Sequence, residues 1–275
     1  MPLVAITREM GSLGKDVAAG LSEALGVPLV YHEVTDHLAD RMRVRKSHVI
    51  RLLEGKANLL ERLTADKTSL SIFTADEIVN MASQGGGAII RGWGATHLLR
   101  DVPHAVCVRV CAPFDVRKRR MMERTASGDG DKVAEEIRQN DEAHTAIMKR
   151  NFGVQWTDSE NYDLVLNTER VSVKECVERV RGLVQSPEFA ETEASRQKLG
   201  DLALAWQVKA ALRLSSRTRD MRVNVAAEKG RVTLSGVVDS ADERTDACEV
   251  AAAVPGVKEL QDQLRSPDSV RPRFQ

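Results

Sequence analysis

The chain has 275 residues, with 40 Lys and Arg balanced by 40 Asp and Glu, and it is 42% hydrophobic and 29% charged. That composition excludes a disordered or fibrous chain, and the length suits one or two compact domains. The charge balance holds locally, with 12 Lys and Arg against 11 Asp and Glu over residues 201–275, so no nucleic-acid partner is expected.

The first eight residues, Met1 to Arg8, reach a charge after a short apolar stretch, and no run approaches the roughly 18 apolar residues of a membrane span. No signal peptide or span is therefore expected, and the expected compartment is the cytoplasm. Cys107, Cys111, Cys176 and Cys248 form no CxxC pair, which argues against structural zinc and against a disulfide framework. The six histidines show no HExxH or HxH spacing, so they point to no metal site either.

In chain order, residues 3–7 predict a short apolar strand followed by the turn Gly11-Ser12-Leu13-Gly14-Lys15. Val17, Leu21 and Leu25 then recur at helical spacing until Gly26. Residues 27–31 predict a second strand, and 36–84 a largely helical stretch. Third and fourth strands are predicted at 88–90 and 105–110. A helix from Phe114 carries Arg117, Lys118, Arg119 and Arg120, and a Gly/Asp loop at 127–131 leads to a helix over 132–150. A fifth strand at 162–167 and a helix at 173–184 follow. Strands alternating with helices predict an α/β fold with a parallel sheet covered on both faces.

Residues 185–200 read as a linker, because apolar periodicity lapses around Pro187. Beyond it, helix (202–214), two strands (222–226 and 231–237), helix (241–253) and strand (257–264) predict a separate small α+β domain over 201–265. Residues 266–275 form a tail.

The strand, glycine turn and helix around Gly11 can do one of two things. A glycine-rich turn at a helix N-terminus aims backbone N–H groups and the helix dipole at one spot, and Lys15 completes a cradle for polyphosphate. The same turn can also be a mere tight connection, since G-x-x-x-x-G-K-[ST] would need Gly at Glu9 and Ser or Thr at Asp16. Arg117 and Arg120, three residues apart, form either a phosphate clamp beside a loop or a solvated helix face. Trp93, between two glycines, is either packing or a pocket wall.

Taken together, residues 3 to about 184 resemble the cytidylate kinase-like family, a branch of the P-loop nucleoside monophosphate kinases. The resemblance rests on Ile6 through Lys15, Leu25-Gly26-Val27-Pro28, Gly92-Trp93-Gly94-Ala95 and Ala112-Pro113 followed by Arg117. It continues through Asp141, Phe152-Gly153, Trp156, and Tyr162 through Thr168. It implies that Gly11, Ser12, Leu13, Gly14 and Asp16 hold the donor phosphates, bridged by Lys15. Residues 36–84 would be the monophosphate-binding insertion. Arg117 and Arg120 would open the lid and act with Lys15 in catalysis, and Asp141 would lie on the helix that closes it. Glu33, Arg91, Trp93 and Asn167 complete the implied nucleotide-binding set. The implied reaction is transfer of the ATP γ-phosphoryl group to CMP or dCMP with Mg²⁺. Asp16 stands where the family places a metal-holding hydroxyl, His144 where it often has a substrate-clamping arginine, and Tyr31 where it has an aspartate. The rival reading is a nucleotide sensor that signals through the second domain.

Residues 201–264 resemble a BON domain. The residues that carry this are Val225, Gly230 through Val238, Glu243-Arg244, and Ala252 through Val257. The resemblance implies a regulatory role, with an unknown protein, lipid or small ligand as partner.

Overall fold

The computed structural model describes residues 1–53, 57, 66–92 and 94–266, which divide into two compact units. Unit 1 takes residues 1–66 and 84–192, and unit 2 takes residues 67–83 and 193–275.

Unit 1 is built on five parallel strands: β1 (Leu3–Arg8), β2 (Leu29–Val30), β3 (Ala88–Arg91), β4 (Ala105–Cys111) and β5 (Leu164–Asn167). Their spatial order is β2-β3-β1-β4-β5, with Ile6 in register with Arg91 on one side and Val108 on the other. The intervening helices are α1 (Gly14–Leu25), α2 (His32–Met42) and α3 (Lys46–Leu53), while α4 (Lys67–Ser83) belongs to unit 2. After β3 come α5 (Ala95–Leu98), α6 (Phe114–Thr125), α7 (Gly130–Phe152) and α8 (Val173–Val184).

One face of the sheet supplies Val4, Ile6, Ile89, Val106, Val108 and Val110, packed against Val17 and Leu21 of α1 and Cys176 and Val180 of α8. These strands are apolar throughout because a parallel sheet is buried on both faces. The loop after β1 leads toward β2, and the loop after β4 leads toward β5 on the opposite side. The crevice between the C-terminal ends of β1 and β4 is therefore the place where such sheets bind ligands.

Several bounds differ from the sequence expectation. The second strand is two residues long, because the chain turns into α2 at His32. The fifth strand starts at Leu164, since Ser159–Asn161 forms a 3₁₀ turn and the Tyr162 hydroxyl donates to the Trp156 carbonyl. The loop at 127–131 is shorter than expected: the Asp129 carboxylate accepts from Lys132 N and starts α7 early. Within the stretch read as a linker, Pro187–Phe189 forms a 3₁₀ turn and α9 (Glu193–Leu214) already begins.

Unit 2 contains α9, the antiparallel pair β6 (Val223–Glu228) and β7 (Arg231–Val237), α10 (Ala241–Ala252), and β8 (Glu259–Arg265), parallel to β7. Leu204, Val208 and Leu212 of α9 meet Val225, Val232 and Leu234 of the sheet and Ala247 and Ala251 of α10 in one core. A second stripe on α9 is also buried: Ser195, Leu199, Ala203 and Ala210. It runs on at helical spacing to Arg213, whose Nε donates to Ser69 Oγ of α4 at 2.7 Å. The compact unit thus takes in a helix from within the stretch expected to form the monophosphate-binding insertion.

Lys229 and Gly230, both at positive φ, form the two-residue turn that joins β6 to β7. A Cβ on Gly230 would lie 2.9 Å from Lys258 Cδ and 3.2 Å from the Gly256 carbonyl oxygen. Gly230→Val is expected to destabilise unit 2 by about 1–3 kcal/mol. Chemical denaturation followed at Trp206, in α9, measures this.

Candidate functional site

The turn after β1 is held from below. Glu9 N donates to the Val110 carbonyl at 3.1 Å, and the buried Ser12 hydroxyl bonds Glu9 O at 2.8 Å and Val110 O at 3.0 Å. Gly11 lies so near α6 that a Cβ would come within 2.8 Å of the Arg117 carbonyl oxygen. Leu13 takes the left-handed conformation, φ 62°, and accepts the first helical bonds from Asp16 N and Val17 N. The chain thereby turns sharply into α1, which brings the positive end of that helix's dipole to this turn. Lys15 and Asp16 are exposed there. Gly11, Leu13, Gly14, Lys15 and Asp16 thus share this turn, whereas the Ser12 side chain is a staple under the loop.

The two arginines of α6 depart from the expectation of lid groups open to phosphate. Arg117 is 6% exposed, and its guanidinium donates to both oxygens of Asp141, at 3.2 and 2.9 Å. It also lies 3.5 Å from Glu9 Oε2 and donates to the Met10 carbonyl at 3.4 Å. Arg120 donates to Thr168 Oγ1 at 2.9 Å and to the Thr168 carbonyl at 2.7 Å, and Thr168 Oγ1 in turn donates to the Ser12 carbonyl at 2.8 Å. Both arginines act as struts around the loop, because a buried or half-buried guanidinium takes the carboxylates and carbonyls within reach. Asn167 is exposed, and its Oδ1 accepts from Glu169 N. Thr168, its neighbour, is the residue tied to the loop.

Glu9 is the residue that spacing alone misses. It stands where a Walker consensus would have glycine, yet it accepts from Arg109 Nη2 at 2.6 Å and from Ala112 N at 3.1 Å while facing Arg117. Burial outweighs the Arg117 guanidinium and leaves the Asp141 carboxyl above the usual carboxylate range. Arg91 is 6% exposed at the end of β3 and lies 3.7 Å over the Tyr31 ring, a cation–π contact. The Glu33 side chain and Trp93 lie outside the described residues.

Known proteins match both units. The model of the cytidylate kinase-like family matches residues 3–170. The chain belongs to this family. The BON domain model matches residues 200–267, so the family's fold is followed here by a BON domain. A cytidylate kinase from Methanothermobacter thermautotrophicus is 29% identical over 156 residues, covering 56% of this chain and 87% of that protein. Among solved structures, an uncharacterized protein from Eubacterium ventriosum has a TM-score of 0.53 at 21% identity, covering 68% of this chain and 99% of its own. A shikimate kinase from Bacteroides thetaiotaomicron is matched at a TM-score of 0.42 and 15% identity, covering 67% of this chain and 99% of its own.

Kinases of this kind work with a divalent metal. Among the described residues, no group of three or more His, Cys, Asp or Glu could hold a metal ion. Mg²⁺ is commonly held by one or two carboxylates together with substrate phosphates. Asp16, named above from the resemblance, is exposed in the first turn of α1. Among the described residues, no helix is long and apolar enough to cross a membrane.

On α7, in the cytidylate kinase-like unit, the His144 ring stacks on Trp156 with centroids 4.1 Å apart and planes 10° from parallel. Burial, then the charges of Arg8 and Arg109, lowers its pKa from 6.5 to about 4. The folded protein therefore keeps this ring neutral where the unfolded chain protonates it. Stability contributed by neutral His144 is present above pH 6.5 and is lost as the pH falls toward 4. The loss is expected to reach at most about 3 kcal/mol, because the ring is partly exposed. His144→Phe keeps the stack and should flatten the stability profile between those two pH values, as read by urea unfolding.

Proposed function

We propose that this protein transfers the γ-phosphoryl group of ATP to a nucleoside monophosphate, with CMP or dCMP as the acceptor class. What carries the reading is the turn from Gly11 to Lys15, wound into the N-terminus of α1 at the crevice between β1 and β4. Backbone N–H groups and the helix dipole attract the donor phosphates there, and Lys15 bridges them. Asp16 holds Mg²⁺, which when bound neutralises phosphate charge.

Phosphoryl transfer needs little covalent chemistry from the protein, so its work is positioning and electrostatic stabilisation. Arg117 and Arg120 serve that work by fixing the loop: one ties Met10 and Asp141 to α6, and the other ties α6 to Thr168, whose hydroxyl bonds Ser12.

A panel of nucleoside monophosphates incubated with ATP and Mg²⁺ tests the proposal, with nucleoside diphosphate as the product to detect. A diphosphate from CMP or dCMP, and less from the purine monophosphates, supports it. A second reading is favoured by one observation: both α6 arginines are held by protein groups instead of facing the crevice. ATP binding without product from any acceptor would identify a nucleotide sensor.

A further inference from the structure

The sheet of unit 2 ends on β8, which among the described residues pairs with β7 alone. Glu259 N donates to the Gly230 carbonyl at 3.3 Å, and the Arg265 carbonyl accepts from Val238 N at 3.0 Å. Backbone groups alternate along a strand, so residues 259, 261, 263 and 265 turn theirs toward β7. Leu260, Asp262 and Leu264 turn theirs toward the open edge. Such an edge is a template for another strand.

The side chains alternate too. Leu260 and Leu264 pack in the core of unit 2, with Asp262 between them on the same face. Glu259, Gln261, Gln263 and Arg265 are exposed on the other. Reversed, the strand Glu259-Leu260-Gln261-Asp262-Gln263-Leu264-Arg265 is unchanged except that its two end charges trade places. Arg231 Nε lies 2.9 Å from the Glu259 carboxylate, whereas Arg265 forms no ion pair among the described residues.

We propose that β8 is a self-association edge, on which a second copy of this chain adds its own β8 in antiparallel fashion. The two-fold axis passes beside Asp262, perpendicular to the sheet. Leu260 then pairs with Leu264 of the second copy, Gln261 with Gln263, and Glu259 with Arg265. In this register the outward-pointing residues become the hydrogen-bonded pairs, and opposite charges meet at both ends. The apolar faces of both sheets stay on one side. Asp262 meets its own counterpart at the axis, but Arg244 Nε donates to its Oδ2 at 2.5 Å and offsets that charge. The same operation on β6, the other edge, would set Val223 against Glu228. One bond on β8 is exchanged: Leu264 N donates to its own chain's Asp262 Oδ1 at 2.8 Å until a carbonyl of the second copy replaces it. That cap guards the edge against unselective pairing and keeps the association reversible.

The test is sedimentation of the full chain from roughly 1 to roughly 500 μM, over which its average mass should rise toward twice that of one copy. Over the same range the outward-pointing amides of Leu260 and Asp262 should exchange with solvent about fivefold more slowly. Arg265→Glu and Glu259→Arg each set like charges against each other at both ends of the paired strands. Each variant alone should therefore stay monomeric, and an equimolar mixture of the two should dimerise again. Dimerisation of the mixture also shows that both variants fold. A wild-type chain that stays monomeric at every concentration overturns the proposal and leaves the edge to a strand of some other protein. Dimers that persist in each variant alone, or a mixture that stays monomeric, overturn it equally.

Discussion

Arg117→Ala is expected to cost unit 1 about 3 kcal/mol, because it removes the buried cation that lies between Glu9 and Asp141 and leaves Arg109 to compensate Glu9 alone. Arg117 is 6% exposed and Glu9 9% exposed, whereas the Asp141 side chain keeps partial access to water at 28%. Asp141 can hydrate or protonate when its partner goes, and its carboxyl already sits above the usual range. Glu9 keeps its bonds from Arg109 and Ala112 N, so the penalty comes from weakened charge balance at Glu9, the lost Asp141 pair and the Met10 carbonyl, at the base of the loop. Asp141→Asn, which keeps one acceptor for the guanidinium, should cost about 1 kcal/mol. Thermal or urea unfolding of the two variants separates them. Equal, small losses would mean that Arg117 is solvated in solution.

Lys15→Ala has the largest expected effect on function. The lysine is exposed at the mouth of α1, so its replacement is expected to act on phosphate binding far more than on folding. Removing one charge-assisted contact of about 1.5–3 kcal/mol weakens ATP binding by roughly 10- to 150-fold. The rate should fall further, because charge on the migrating phosphoryl group is greatest in the transition state. Isothermal titration with ATP and Mg²⁺ gives the first quantity, and product formation under saturating ATP gives the second. Lys118→Ala, on α6 away from the loop, should change neither. Unchanged ATP affinity in Lys15→Ala would place the phosphates elsewhere.

The elements legible in the sequence are those fixed by local rules. The apolar runs of β1, β3 and β4, the turn into α1 and the Lys229-Gly230 hairpin each depend on neighbours a few residues away. The site was legible as a loop but not as a network. Arg117 lies in a run of four basic residues that looks like a solvated helix face, and the carboxylate that pairs with it is 24 residues later, on α7. Glu9 looks like a defect in a phosphate-loop consensus until Arg109, 100 residues away, is seen to bond to it. The partnership of α4 with α9 leaves no periodic trace either. Both helices are buried on more than one side, and such helices lack the single apolar stripe that announces a neighbour.

That partnership also sets a timetable for biosynthesis. Helix α4 leaves the ribosome while α9 is still uncoded in the growing chain, and the two cannot meet until residue 214 or so has emerged. At roughly 5–20 residues per second, Leu70, Phe73 and Ile78 wait on the order of ten seconds without the surface that will cover them. Throughout that interval the nascent chain presents an apolar helix between two halves of a sheet that must also find each other, with β3 downstream of it and β1 upstream. A chain ordered this way carries, in the middle of its first unit's sequence, a helix that packs in the second.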